Sequence, residues 1–158
     1  MLAMAEDEWV KSKLQEVLEK ISSEDKRITP QRVLLTKLIL SKVKEHASLK
    51  ELFDAAQEEL PRVGISTVYN TIKMLESMGI VDTFIVNDKL RIDQPIPHIN
   101  VYCLDSDKIF DVDGDVASTV MDSLKSKGLN VKKIVVEAYC SGEKKEDRGP
   151  GDSISNLI

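Results

Sequence analysis

The chain has 158 residues, of which 42% are hydrophobic, 31% charged and 4% aromatic, and its formal net charge is -5. This composition is typical of a globular protein of one domain or two small ones with an aliphatic core. The negative charge argues against a protein that mainly binds phosphates without sequence preference. No apolar run approaches about 18 residues, and the acidic N-terminus does not resemble a signal peptide, so we expect a cytoplasmic protein that does not span a membrane.

Three helices are predicted before residue 60. Apolar residues recur at helical spacing over residues 7–21, and Pro30 opens a second helix whose continuation over 31–43 is apolar around much of its circumference. A third helix begins at Ser48, where Ser-Leu-Lys-Glu is a capping box that ends in Glu51. The spacing of the third helix and the next one suits a helix-turn-helix pair.

The fourth predicted helix, over residues 65–80, has two chemically different faces. Its apolar stripe is Val68, Ile72, Leu75 and Met78, with Ser66 as the expected cap and Gly79 as the expected end. Its polar face carries Ser66, Tyr69, Asn70, Lys73 and Ser77. A helix that enters a DNA groove presents its first turn, which here holds Thr67, Tyr69 and Asn70. The alternative, an ordinary surface helix, is equally compatible with this segment alone.

After this helix the apolar period changes from that of a helix to that of a strand. Residues 80–86 and 89–92, separated by the turn Asn87-Asp88, predict a hairpin. A helix-turn-helix followed by a hairpin is a winged helix, to which we assign residues 1–93. Residues 94–97, Gln-Pro-Ile-Pro, predict a stiff extended linker between two domains.

Residues 98–141 predict a small α/β domain. The expected strands are 99–104, 108–112 and 131–139, and the expected helix is 115–127, with Gly128 as its C-cap and Val116, Val120, Met121 and Leu124 facing inward. Such a small core usually needs a partner chain or a metal. Residues 142–158 have the composition of a disordered tail. The fold class is therefore α+β.

Four segments, taken together, resemble the ferric uptake regulator (Fur) family of metal-dependent regulators. Arg27-Ile-Thr-Pro-Gln-Arg32 resembles the family's R-x-T-x-Q-R, and Ile65-Ser-Thr-Val-Tyr69 resembles the start of its recognition helix. Arg91-Ile-Asp93 followed by His98 resembles its hinge. The stretch 103–111 resembles C-x-x-C-G-K-I-x-D/E, so the resemblance covers most of residues 15–140.

The resemblance implies a homodimeric winged-helix regulator, expected to be a repressor, that binds a double-stranded DNA operator. The α/β domain would then be the dimerisation domain. No organic cofactor is implied. An enzyme is not expected, because the chain has only two histidines, no nucleophile motif and no glycine-rich phosphate loop. The alternatives are a metal-independent regulator with a degenerate metal site, or a protein-interaction module that keeps the winged helix as a scaffold.

The resemblance also implies which residues contact DNA. Tyr69 would approach base edges with Thr67 nearby. Arg27, Arg32 and Lys73 would contact phosphates, which position a protein without reading sequence. Asn70 stands where the family has an arginine, so a phosphate contact is lost, but an amide can pair with adenine. The alternative for Tyr69 is packing against its own domain.

A divalent metal site between the two domains is implied in the same way. The positions of the family's donors are occupied by His46, Asp93, His98, Asn100 and Asp111. Asn100 replaces a histidine and keeps an oxygen donor. This mixture of nitrogen and oxygen donors suits Fe(II), Mn(II), Zn(II) or Ni(II). Aspartate at both acidic positions resembles the peroxide-sensing branch of the family.

Cys103 and Cys140 are the only cysteines, and the family has a C-x-x-C pair at each of these places. Ser106 and Glu143 replace the second cysteine of each pair, so the family's four-cysteine structural zinc is expected to be absent. A reducing compartment argues against a disulfide. We therefore expect buried, reduced thiols, with a zinc held by two thiolates and borrowed carboxylates as the alternative.

Overall fold

The computed structural model describes residues 2–24 and 27–141, with side chains from residue 8 onward. The chain divides into two compact units, Met1–Ile96 and Pro97–Ile158. No helix in the described part of the chain is long and apolar enough to cross a membrane. The predicted tail, residues 142–158, lies outside the described residues.

The described residues of the first unit form four helices and a hairpin. The helices are α1 (Leu2–Ser23), α2 (Pro30–Ser41), α3 (Leu49–Glu59) and α4 (Ile65–Ser77). All four contribute aliphatic side chains to one core, which includes Val17, Ile21, Leu35, Ile39, Leu52, Val68, Ile72 and Leu75. The predicted apolar stripe of α4 therefore faces the core, with Met78 only partly buried at its end.

The ends of α3 and α4 differ in how well they match the capping residues predicted from the sequence. Ser48 and Glu51 form the predicted capping box of α3. The predicted cap of α4 is wrong, because α4 begins one residue earlier than Ser66. Its N-cap is Gly64, which has no side chain to cap the helix. Gly79 lies just beyond the end of α4 with a φ of 73°, a conformation that glycine adopts without strain.

The hairpin consists of β1 (Asp82–Val86) and β2 (Lys89–Asp93), which pair antiparallel. Asn87 and Asp88 form the two-residue turn, both with positive φ, as a tight hairpin requires. The backbone N–H of Ile92 donates a hydrogen bond of 3.1 Å to the carbonyl of Ala47, which ties β2 to the segment before α3. Helices and hairpin together form the predicted winged helix.

The described part of the second unit, residues 97–141, is a three-stranded sheet with one helix. Its strands are β3 (Ile99–Cys103), β4 (Lys108–Val112) and β5 (Ile134–Ala138), and its helix is α5 (Gly114–Ser126). The strand order is β4-β3-β5, with β4 antiparallel and β5 parallel to β3. Gly128 follows the C-cap of α5 with a φ of 84°.

One residue of the predicted inward stripe of α5 faces outward, so that part of the prediction is wrong. Val116 is 60% exposed, and Ala117 is the buried residue of the helix. Ala117, Val120, Met121 and Leu124 have the spacing i, i+3, i+4, i+7 of one helix face. Val116 falls outside that pattern, whereas Val120, Met121 and Leu124 are partly buried as expected.

The prediction of reduced cysteines is also wrong, because Cys103 and Cys140 form a disulfide. Their Cα atoms are 5.4 Å apart although the residues are 37 positions apart in sequence. The parallel pairing of β3 and β5 explains this closeness, since Cys103 lies opposite Ala138 in the register. A pattern read along one strand does not reveal which distant strand becomes its neighbour.

Candidate nucleic-acid interface and metal centre

The polar side chains of α4 lie on its exposed face. Tyr69 is 40% exposed, and Asn70, Lys73 and Ser77 are exposed as well. Thr67 is half-buried in the first turn. Because Val68, Ile72 and Leu75 turn inward, helical geometry fixes the opposite side chains outward. The side chains proposed to meet DNA are therefore accessible together.

A cleft of about 450 Å³ joins the start of α2 to α4. Its lining includes Thr29, Arg32, Thr67 and Asn70. Thr29 caps α2 by accepting a hydrogen bond from the backbone N–H of Arg32. The Arg32 side chain is braced in turn, because its Nη1 donates to the carbonyl of Arg27 at 3.0 Å. Three of the predicted DNA-contacting residues, Arg32, Thr67 and Asn70, thus share one concave surface.

Lys73 is engaged within its own helix. Its Nζ lies 2.7 Å from Oε1 of Glu76 and 5.9 Å from the ring centroid of Tyr69. The hydrogen bond and the negative charge of Glu76 raise the pKa of Lys73 above its ordinary value. The other carboxylate oxygen of Glu76 accepts a hydrogen bond from the hydroxyl of Thr83 on β1. The sequence prediction overlooked Glu76, although its i, i+3 spacing from Lys73 was visible.

The first unit contains two of the predicted metal donors. His46 has a φ of 52° and is buried, as is Asp93. Nδ1 of His46 lies 3.3 Å from Oδ1 of Asp93 and 3.4 Å from the carbonyl oxygen of Ile92. Oδ1 of Asp93 also accepts a hydrogen bond of 2.8 Å from the backbone N–H of Gln94. These contacts hold an imidazole and a carboxylate side by side.

The second unit contains the other three. His98 and Asn100 are buried, and Asn100 pairs across the sheet with Asp111. Nε2 of His98 lies 3.1 Å from Oδ1 of Asn100 and 4.0 Å from Oδ1 of Asp111. One ring nitrogen therefore faces two side-chain oxygens. Asn100 presents its side-chain oxygen to His98.

Neither set is a complete metal site by itself. Within residues 2–24 and 27–141, no group of three or more histidine, cysteine, aspartate or glutamate side chains could hold a metal ion. The first set supplies one nitrogen and one carboxylate, and the second supplies one nitrogen, one amide oxygen and one carboxylate. Each set by itself offers nitrogen and oxygen donors of the kind that divalent transition metals accept.

Arg91 supports the first set and was not predicted to do so. It is buried, and its Nη1 donates to the carbonyl of His46 at 3.1 Å and lies 3.5 Å from Oε1 of Glu51. A buried guanidinium needs such partners, because desolvation of an uncompensated charge is costly. Arg91 thereby links the loop that carries His46 to β2 and to the capping box of α3.

Residues 23–139 match the model of the ferric uptake regulator family. The chain belongs to this family. The family's members are metal-responsive DNA-binding transcriptional regulators, so the chain is a transcriptional regulator and not an enzyme. The match confirms the resemblance drawn from the sequence motifs.

Individual relatives agree with this assignment. The chain is 29% identical over 121 residues to a ferric uptake regulation protein homolog of Archaeoglobus fulgidus. The aligned region covers 75% of this chain and 91% of that protein. It is 28% identical over 109 residues to the peroxide-responsive repressor PerR of Staphylococcus saprophyticus, covering 68% of the chain and 73% of that protein.

Solved structures confirm the fold class. The ferric uptake regulator Fur of Helicobacter pylori, which has three functional metal binding sites, superposes with a TM-score of 0.71 at 16% identity. The superposition covers 88% of this chain and 96% of that one. The α+β fold, with an N-terminal winged helix and a C-terminal α/β domain, is therefore that of the Fur family.

Proposed function

We propose that this regulator is a homodimeric repressor that binds an operator through α4, and that one divalent metal ion controls its affinity for DNA. The observation that carries the proposal is the surroundings of its two histidines. Both histidines of the chain are buried next to side-chain oxygens, His46 beside Asp93 and His98 beside Asn100 and Asp111.

The DNA-binding role rests on the exposed face of α4 and on the cleft beside it. Tyr69 and Thr67 would meet base edges, and the amide of Asn70 would pair with an adenine. Arg27 and Arg32 would contact phosphates at the start of α2, and Lys73 would do so from α4. Residues 1–96 carry 14 lysine and arginine residues against 16 aspartate and glutamate residues, a net charge of -2. Specific contacts and two copies of the chain must therefore together provide the affinity.

We assign the metal role to both donor sets together, because neither set offers enough donors alone. An ion that takes ligands from both sets binds only the arrangement of the two units that brings them together. A ligand shifts a conformational equilibrium through its different affinities for the two states, and such an ion has that difference. The residues that would hold it are His46, Asp93, His98, Asn100 and Asp111, and the ion would be Fe(II), Mn(II), Zn(II) or Ni(II) according to availability.

The proposal of a homodimer is supported by the sheet of the second unit. Phe110, Val101 and Val136 are cross-strand neighbours and form one apolar row. Phe110 and Val136 are 44% and 42% exposed, respectively. A row of this kind favours burial against a second copy. We place the dimer in the cytoplasm.

The DNA-binding role can be tested by fluorescence anisotropy on a duplex selected from a random library. Wild-type protein should bind with an affinity that falls steeply with salt, because phosphate contacts release counterions. Tyr69→Ala should lose selective binding while the dimer persists, whereas Tyr139→Ala, at a residue that is 84% exposed in the other unit, should behave as wild type. Salt-independent or absent duplex binding would favour the protein-interaction module instead.

The metal role needs a separate measurement. Added Mn(II) or Zn(II) should tighten operator binding and a chelator should reverse the effect. His98→Ala should abolish the response, and Asp122→Asn, which removes an exposed carboxylate from α5, should preserve it. Wild-type binding that ignores both metal and chelator would refute the switch and leave a metal-independent regulator.

A further inference from the structure

Glu76 connects the proposed DNA-facing side of α4 to the wing, which is the hairpin of β1 and β2. Its Oε1 lies 2.7 Å from Nζ of Lys73, and its Oε2 accepts a hydrogen bond from Thr83 on β1. The Glu76 side chain is 27% exposed and that of Lys73 is 45% exposed, so this carboxylate lies at the edge of the accessible face. An acidic side chain at this position opposes phosphate binding. The contacts of Glu76 with both Lys73 and Thr83 therefore call for an explanation.

We infer that Glu76 is a positioning residue that raises the DNA specificity of this regulator by competing with phosphate for Lys73. The inference rests on the proposed DNA-binding role of α4. It makes the contribution of Lys73 conditional, because Lys73 adds to DNA affinity only where a phosphate displaces the Glu76 carboxylate.

The competition follows from the contact between the two charges. A charge-assisted hydrogen bond of 2.7 Å is at the short end of the range for an ammonium and a carboxylate. A DNA phosphate must replace this partner and also approach the negative charge of Glu76. Random DNA offers only such phosphate contacts, so the pair weakens binding to random DNA most.

The anchorage to Thr83 explains how the pair helps selective binding. Because one oxygen of Glu76 is held by β1, the other keeps the Lys73 ammonium over the ring of Tyr69, 5.9 Å from its centroid. A cation at this distance attracts the face of an aromatic ring. The ring that is proposed to meet base edges is thereby held before DNA arrives, which lowers the entropy lost on specific binding.

Glu76→Gln tests the inference, since it removes the charge and keeps the size. Its matched control is Glu16→Gln on α1, where Glu16 forms an i, i+3 pair with Lys13 at 3.3 Å. A second variant, Thr83→Val, removes the anchor and keeps the negative charge. Affinities of all four proteins for the selected duplex and for a random duplex are measured across a salt series, after circular dichroism has shown equal folding.

Glu76→Gln should bind the random duplex several-fold more tightly. The slope of log affinity against log salt concentration should steepen by about one, as for one additional phosphate contact. Its ratio of specific to random affinity should fall. Thr83→Val should lower that ratio with the wild-type slope, and Glu16→Gln should change neither quantity. An unchanged slope and ratio for Glu76→Gln would overturn the inference, as would an equally steepened slope for Thr83→Val. If wild-type protein shows no salt-dependent duplex binding, the proposed function itself fails and the inference with it.

Discussion

Cys103 at the end of β3 and Cys140, two residues beyond β5, are joined by a disulfide. The backbone reinforces this connection, because the N–H of Leu104 donates to the carbonyl of Ala138 at 2.8 Å and that of Cys140 donates to Oδ1 of Asp105 at 3.2 Å. An edge strand paired on one side only is thus fastened to the centre of its sheet. In this chain a bond between two cysteines occupies the place of the family's C-x-x-C pairs.

Reduction of this disulfide should loosen β5. A crosslink between residues 37 positions apart typically contributes about 2–4 kcal/mol to stability, mainly by restricting the unfolded chain. Hydrogen exchange followed by mass spectrometry should show faster exchange of residues 134–138 in a phosphine reductant, with no change for β1 and β2. A Cys103→Ser/Cys140→Ser variant serves as the control and should not respond to reductant. Equal exchange of oxidised and reduced wild-type protein would contradict the prediction.

Removal of metal should leave the fold intact. Ser106 replaces one of the four thiolates that the family's structural zinc needs, and Cys103 and Cys140 are bonded to each other. Dialysis against a strong chelator should therefore leave the protein folded, with only a small fall in the thermal unfolding midpoint from loss of the regulatory ion, while metal-stimulated DNA binding disappears. Elemental analysis before and after dialysis provides the check. Zinc that remains in a one-to-one ratio after dialysis would contradict the prediction. If harsher removal of that zinc then unfolds the protein, a structural zinc site is present.

Local signals predicted much of the fold because they act over a few residues. The capping box of Ser48 and Glu51 and the turn at Asn87 and Asp88 need no distant partner. The predicted start of α4 is wrong because Gly64 and Ser66 both suit an N-cap. Only the backbone conformation decides between them. The disulfide could not be predicted, because the pairing of β3 with β5 is a long-range property.

The candidate sites were predictable to a different extent. Family motifs indicated His46 and His98, and the structure places each beside the predicted oxygen donor of its own unit. The supporting residues were missed. Arg91 was noted as part of a motif, but its bond to the carbonyl of His46 depends on how β2 lies against the loop before α3. The contact of Glu76 with Thr83 could not be predicted, because it depends on how β1 packs beside α4.

An acidic residue in the apolar row of the second unit should weaken the dimer. Phe110→Glu places a charge between neighbours such as Val101, and burial of an unpaired charge in an interface is costly. The dissociation constant of the dimer, measured by sedimentation velocity, should rise tenfold or more, or about 1.4 kcal/mol. Ile85→Glu is the matched control, since Ile85 is 69% exposed on the wing. A Phe110→Glu dimer as tight as wild type would exclude this row from the interface.

Replacing Asn70 with the arginine that the family motif has at this position should exchange specificity for phosphate affinity. Asn70 is exposed in the cleft next to Arg32, so a second guanidinium there can reach the DNA backbone. Asn70→Arg should steepen the salt slope by about one and lose about 1–3 kcal/mol of discrimination at the base pair that the amide reads.

Ser77→Arg separates these two effects, because Ser77 is exposed on the same helix two turns later. It adds the same charge but leaves the amide of Asn70 in place. Affinities for a set of duplexes with single base-pair changes should therefore show lost discrimination for Asn70→Arg alone. Equal base preferences of Asn70→Arg and wild type would mean that Asn70 does not read sequence, and the departure from the family motif would then affect only charge.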